Sequence, residues 1–346
     1  MQKKYILNCV SPPITSYPII ASTMSILWAD KFRTTPWICD HFVQLVGRKK
    51  SHSRYQLHGN FFEYEEGSNQ PLFLKCPFLF VSRFDIDLIK KHSKKIDFSK
   101  LLKYYLDNNY FIHMCLDHFY FSCAEFYNKE HHMHPTFIYG YDDFKKQFFI
   151  KDFFKNKYSE KTVSYKEMNL AFDECKIQKS YHRIINLLKY TPLYYELNLD
   201  KIIRNYTDYL NGCDTTYKYK EDIQYGDLTF SYGIRYYDVL DHQLCNKDID
   251  IRIFHVLYDH KVIQSMRIKY LFDNNYITNP ELLEKSDLLE QKALNLRNLV
   301  LKYLISQNQA DLNEAISLCK HMKEYDREYV LDLLNELNNN HNTQAK

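Results

Sequence analysis

The residues able to do chemistry crowd into one short stretch. Glu130-His131-His132-Met133-His134 leads into a β-rich run at 136–140, and a second β-rich run at 147–152 follows the polar turn 141–146. Two such runs about a polar turn spell an antiparallel hairpin. His134 opens its first strand and Asp152 closes its second, so antiparallel pairing brings the two together. A carboxylate beside an imidazole accepts its proton, fixes its tautomer and stabilises the charged ring. That is the orienting part of a nucleophile–His–Asp triad. His134 and Asp152 are therefore the expected acid–base pair.

The same block offers a second chemistry. His132 and His134 fall on one face of a strand, with His131 and Glu130 beside them and His113 and His118 in the neighbouring strand and loop. With a third ligand they could hold zinc or iron. There is no His-Glu-x-x-His, and a histidine-rich turn beside a catalytic histidine is the blander reading. The expectation is no metal and no cofactor. A further charged group, Asp259-His260-Lys261 with Arg252 and Arg267, lies on one helical stretch. It reads as a salt-bridged helix; the functional alternative is a cleft lining that contacts an acidic carrier or a phosphopantetheine-borne substrate.

The elements around these groups follow from periodicity and punctuation. Residues 19–30 read as a helix with Ser16 as its N-cap and Pro18 in its first turn. Residues 97–108 read as an amphipathic helix capped by Asp97. The apolar run 110–117 reads as a buried strand, and 73–81 as an edge strand or loop because it contains Pro77. A helix over 164–175 follows the hairpin. From about 190 the pattern becomes long amphipathic helices at 195–211, 230–245, 250–273, 280–307 and 311–338, with a frayed tail at 338–342. The domains are expected at 1–185 and 190–340, the second all-helical.

Composition removes several common alternatives. The seven glycines stand at 47, 59, 67, 140, 212, 226 and 233. Walker A loops, dinucleotide-binding loops and glycine-flanked serine elbows all need closer spacings. A net charge of +3 gives no reason to expect nucleic acid or an anionic membrane as partner. The run Lys90-Lys91-His92-Ser93-Lys94-Lys95 reads as a solvated helix end or loop. Nine scattered cysteines, with no Cys-x-x-Cys, suit thiols in a reducing cytoplasm. Prolines 12, 13 and 18 make a poor signal peptide, and no apolar stretch is long enough to span a membrane.

The run His134-x-x-x-Ile138-x-Gly140-Tyr141-Asp142-Asp143, then an apolar strand ending in Asp152, resembles the C-terminal half of a papain-like core. It is similar to the bacteriocin-processing double-glycine cysteine peptidases, and closer to the N-terminal domain of the butirosin-biosynthesis acyltransferase and its relatives. The likeness covers about residues 1–180. It implies an α+β, papain-like core with an antiparallel sheet, followed by an all-helical domain. His134 and Asp152 take the family's His and Asp positions. It implies acyl or peptidyl transfer, or amide or thioester hydrolysis, on a peptide or carrier-protein-bound acyl substrate in peptide-type natural product biosynthesis.

These families place a cysteine at the start of the first long helix, where the helix dipole lowers the thiol pKa. Here that position falls near Ser16-Tyr17-Pro18. The peptidases also carry a Gln six residues before that cysteine; Gln2 stands seven before Cys9, and Val10 six before Ser16. Three readings stay open: Cys9 as nucleophile, Ser16 as nucleophile with His134 as base, or a non-catalytic binding or assembly module for a peptide or carrier protein.

Overall fold

A computed structural model of the chain describes residues 2–49, 76–86, 88, 97–155, 157–174, 184–213 and 229–344. The chain is mixed α and β and divides into two compact units. One takes Met1–Thr34 and Gln70–Tyr194; the other takes Thr35–Asn69 and Tyr195–Lys346. The second unit therefore draws on an early segment as well as on the C-terminal half. The Lys90–Lys95 run and Cys175 lie outside the described residues.

The first unit holds an antiparallel sheet of seven strands. These are β1 (Lys4–Ile6), β3 (Leu79–Asp85), β4 (Phe111–Asp117), β5 (Met133–Asp142), β6 (Gln147–Phe154), β7 (Lys157–Ser164) and β8 (Ile184–Tyr190). Their order is β3-β8-β4-β5-β6-β7, with β1 paired to the far end of β5. β4 is buried along its whole length, as a short continuous apolar run demands. β3 forms an edge, and Pro77 stays just outside it, where its missing N–H breaks no ladder. A bulge at 138–140 interrupts β5. Gly140 is required there: a Cβ would stand 2.6 Å from the Tyr5 carbonyl oxygen and 2.9 Å from Ile6 Cα.

Helix α1 (Pro18–Leu27) packs on β5 and β6. Its N-cap is Tyr17, not Ser16, and no side chain caps it. The reason is local: Pro18 forces the residue before it into extended backbone, so Tyr17 at φ −138° becomes the boundary. Helix α2 (Lys31–His41) follows, then α3 (Phe98–Asp107), capped by Asp97, and α4 (Tyr165–Asp173), opened by a Ser164–Glu167 capping box. Phe98 of α3 and Phe172 of α4 stack at 3.7 Å, and Tyr165 meets Phe148 of β6 at 4.8 Å.

The second unit contains α5 (Leu199–Asn211), α6 (Tyr236–Asn246), α7 (Ile251–Asp273), α8 (Glu281–Ser306) and α9 (Gln309–Gln344). It is not all-helical. β2 (Val46–Lys49) pairs antiparallel with β9 (Thr229–Tyr232), whose β-prone residues override the helical reading of 230–235. Helix α6 begins only after Gly233, at φ +53°, where a Cβ would lie 2.1 Å from the Tyr209 carbonyl oxygen. Helix α9 runs on through Asn338-Asn339-Asn340, past the expected fraying point. Of the charged group on α7, Asp259, His260, Lys261 and Arg267 are buried instead of forming a solvated face, while Arg252 is exposed and pairs with Asp250. Arg267 is fully buried and donates to the carbonyl oxygens of Cys39 (2.5 Å) and Phe42 (2.6 Å) and to Tyr206 Oη (2.8 Å). It thereby satisfies carbonyls that the end of α2 leaves open. Lys261 pairs with Asp326 at 2.6 Å, both buried. All of these groups belong to the second unit.

One consequence of the buried sheet is acid sensitivity. Burial pushes His113 of β4 down to about 4 from its ordinary 6.5. Between those values the unfolded chain holds the proton and the folded chain does not. Stability therefore rises with pH through the window 4 to 6.5 and is lost as pH falls through it. The group accounts for about 3 kcal/mol across that window. Urea titrations at pH 7 and pH 4.5 should show the loss in the wild type and a loss smaller by about 2–3 kcal/mol in His113→Leu, since His255 and His260 are depressed by burial too. Equal losses in both would contradict this assignment.

Candidate functional site

Asp152 is the centre of the site. Its side chain is wholly buried near the end of β6, and four donors converge on it. The Phe153 backbone N–H donates to Oδ1 at 2.7 Å, and Thr136 Oγ1 donates to Oδ2 at 3.0 Å. His118 Nε2 lies 3.1 Å from Oδ2. His134 Nδ1 lies 2.7 Å from Oδ1 in an ion-pair contact. Burial alone would raise the Asp152 carboxyl. Hydrogen bonds and charge from His118 and His134 outweigh it and hold the group below the usual carboxylate value. The pairing expected from the sequence is thus present, with a second imidazole on the other carboxylate oxygen.

Strand alternation explains the convergence. His134 and Thr136 are two apart on β5 and leave the same face. Asp152 leaves β6 on that face too, because its neighbour Lys151 is directly opposite Phe137. His118 arrives from the turn after β4, where Asp117 organises the chain. The Asp117 carboxylate accepts the backbone N–H of Phe119 and of His132, both at 3.1 Å, and holds His131 Nδ1 at 2.6 Å. His118 N–H donates to the His132 carbonyl at 2.9 Å, closing the segment on itself. His131 is therefore committed to Asp117 and stacks on Phe119 at 4.3 Å. His132 stacks on Phe126 at 4.0 Å and its ring lies 5.6 Å from that of His134. Glu130 is exposed.

Of the two candidate nucleophiles, Cys9 is placed by its neighbour on β6. Cys9 interacts with Lys151, which leaves β6 on the face opposite Asp152, and Lys151 Nζ also donates to the Val10 carbonyl at 2.9 Å. Burial pushes the Cys9 thiol up to about 11, against a smaller pull from Lys151. That is the reverse of an activated cysteine. Burial also raises the thiols of Cys39, Cys76, Cys123 and Cys319. Ser16 is half-buried in the bend before α1. Helix α1 meets the sheet through Ser22, whose Oγ is 3.3 Å from Tyr158 Oη on β7. Tyr158 is opposite Phe153, again the face away from Asp152.

His118, Thr136 and the anchoring role of Asp117 are what residue patterns alone understate. The sequence sets His118 beside the histidine cluster, directly after an apolar strand that ends in Asp117, but gives it no carboxylate partner. His118, His134 and Asp152 are also the described residues able to hold a metal ion, their ligand atoms lying within 4.8 Å of one another. No protein-family model matches the chain, and no curated protein matches it. Among the described residues no helix is long and apolar enough to cross a membrane.

The thiol assignment can be checked by timed iodoacetamide labelling at pH 7.5 with peptide mapping. The exposed Cys213 and Cys245 should label first, and Cys9 should stay largely unlabelled. Preferential labelling of Cys9 at mildly acidic pH would restore it as a nucleophile.

Proposed function

We propose that the sheet-bearing unit is a papain-like domain that carries out acyl or peptidyl transfer, or hydrolysis of an amide or thioester. Its substrate is a peptide or carrier-protein-bound acyl group, in cytoplasmic biosynthesis of a peptide-type natural product. The observation that carries this reading is the 2.7 Å contact between His134 and a carboxylate buried away from water. Asp152 orients the ring and stabilises it when charged. His134 is 23% exposed at its side chain, so the ring remains reachable by a substrate.

His134 removes the proton from the attacking group as that group bonds to the acyl carbonyl carbon. It then returns the proton to the departing thiol or amine as the old acyl bond breaks. The raised thiol of Cys9 and its place on the other face argue against Cys9 as the attacker. The attacking group is then the acceptor's own amine, or water, with Ser16 as the intramolecular alternative. The same observation on Cys9 favours a second reading, in which the fold is a binding or assembly module for a peptide or carrier protein.

An acyl-transfer assay on a carrier-bound thioester separates these. His134→Ala should lower kcat/KM by about 10²–10⁴-fold, the usual worth of a positioned acid–base group. Cys9→Ala should stay within about twofold of wild type. Wild-type turnover equal to the uncatalysed rate, or an unaffected His134→Ala, would leave only the binding module.

A further inference from the structure

We infer that His118, His134 and Asp152 form a binding site for a single first-row divalent cation of the zinc or iron(II) type. Two imidazole nitrogens and one carboxylate oxygen, drawn from three different segments, lie within 4.8 Å of one another. Four-coordinate zinc with ligands at about 2.0–2.1 Å needs donors only about 3.3 Å apart. His118 Nε2 and His134 Nδ1 flank opposite oxygens of one carboxylate at 3.1 and 2.7 Å. A cation between them therefore asks for side-chain adjustment and no rearrangement of the strands.

The surroundings are those of a supported site. Thr136 and the Phe153 N–H hold the carboxylate, as outer contacts hold metal ligands. The His118 ring is packed flat against Phe154, with centroids 5.8 Å apart. His118 and Asp152 are almost fully buried while His134 is partly open. That leaves one side for water or a substrate atom, as two histidines and a carboxylate do in open metal sites. His132 stacks on Phe126 and lies 5.6 Å ring to ring from His134, beside the three ligands and not among them.

This inference does not depend on the acyl-transfer reading, although it uses the same atoms. A cation on His134 Nδ1 and Asp152 replaces their mutual contact, so the cation-loaded and acid–base states exclude each other. The test is titration of chelator-stripped full-length protein with Zn²⁺ alone by calorimetry, and with Co²⁺ by visible absorption. One equivalent should bind, with ligand-field bands from Co²⁺. His118→Phe and His134→Ala should each weaken Zn²⁺ binding by at least ~100-fold, while His131→Ala stays within about threefold. Circular dichroism confirms that each variant is folded. The absence of Co²⁺ bands in wild type overturns the inference without any variant. So does binding that His118→Phe and His134→Ala leave unchanged. Zn²⁺ binding without acyl transfer leaves the cation site standing and removes the enzymatic reading. Transfer by metal-free protein that binds no Zn²⁺ does the opposite.

Discussion

A carboxylate taken out of water has to be compensated, and the way Asp152 is compensated organises one end of the sheet. Leaving such a charge buried without partners costs several kcal/mol. Thr136, the Phe153 amide, His118 and His134 supply the compensation from β5, β6 and the turn after β4. Meeting that requirement fixes the register at the mouth of the hairpin. It also draws the 118–132 segment across the end of β4, where Asp117 pins it through His131 and His132. Two buried acids on two strands of one sheet, Asp117 and Asp152, thus place three histidines around one point.

The two faces of the sheet are chemically different as a result. One face carries Asp152, Thr136 and the imidazoles. The other carries Lys151, Cys9 and the phenol of Tyr139, with Lys151 5.2 Å from the Tyr139 ring. Adjacent residues of one strand, Lys151 and Asp152, serve these opposite settings. The basic side chain near Cys9 does not offset the cost of burying a thiolate, so that thiol stays protonated at neutral pH. The imidazole–carboxylate pair is therefore better suited to act on protons or a cation brought to it than on a cysteine of its own.

The hairpin and its His–Asp ends were legible because period-two alternation and a polar turn are local signals, and antiparallel pairing does the rest. β4, the Asp97 cap and the edge position of β3 were legible for the same reason. The approach of His118 to Asp152 was not: it depends on the fifteen-residue excursion 118–132 stapled by Asp117, and no periodicity encodes a staple. The likeness to papain-like proteins placed a nucleophile at the start of the first long helix, but Cys9 lies before it and on the other face. In the second unit, the helices were legible and the participation of residues 35–49 was not. That segment is recruited by long-range bonds such as Arg267 to the carbonyls of Cys39 and Phe42, and the sequence of α7 looks the same whether its charges face in or out.

The central claim is that Asp152 is an ionised carboxylate held between two imidazoles. Carbon-13 NMR of the Asp152 side-chain carboxyl in metal-free protein, followed against pH, tests it most directly. The account predicts a resonance of the ionised form throughout the neutral range, with a midpoint below 3.8 or none before acid unfolding. A midpoint above 3.8, or a protonated carboxyl at neutral pH, would contradict it.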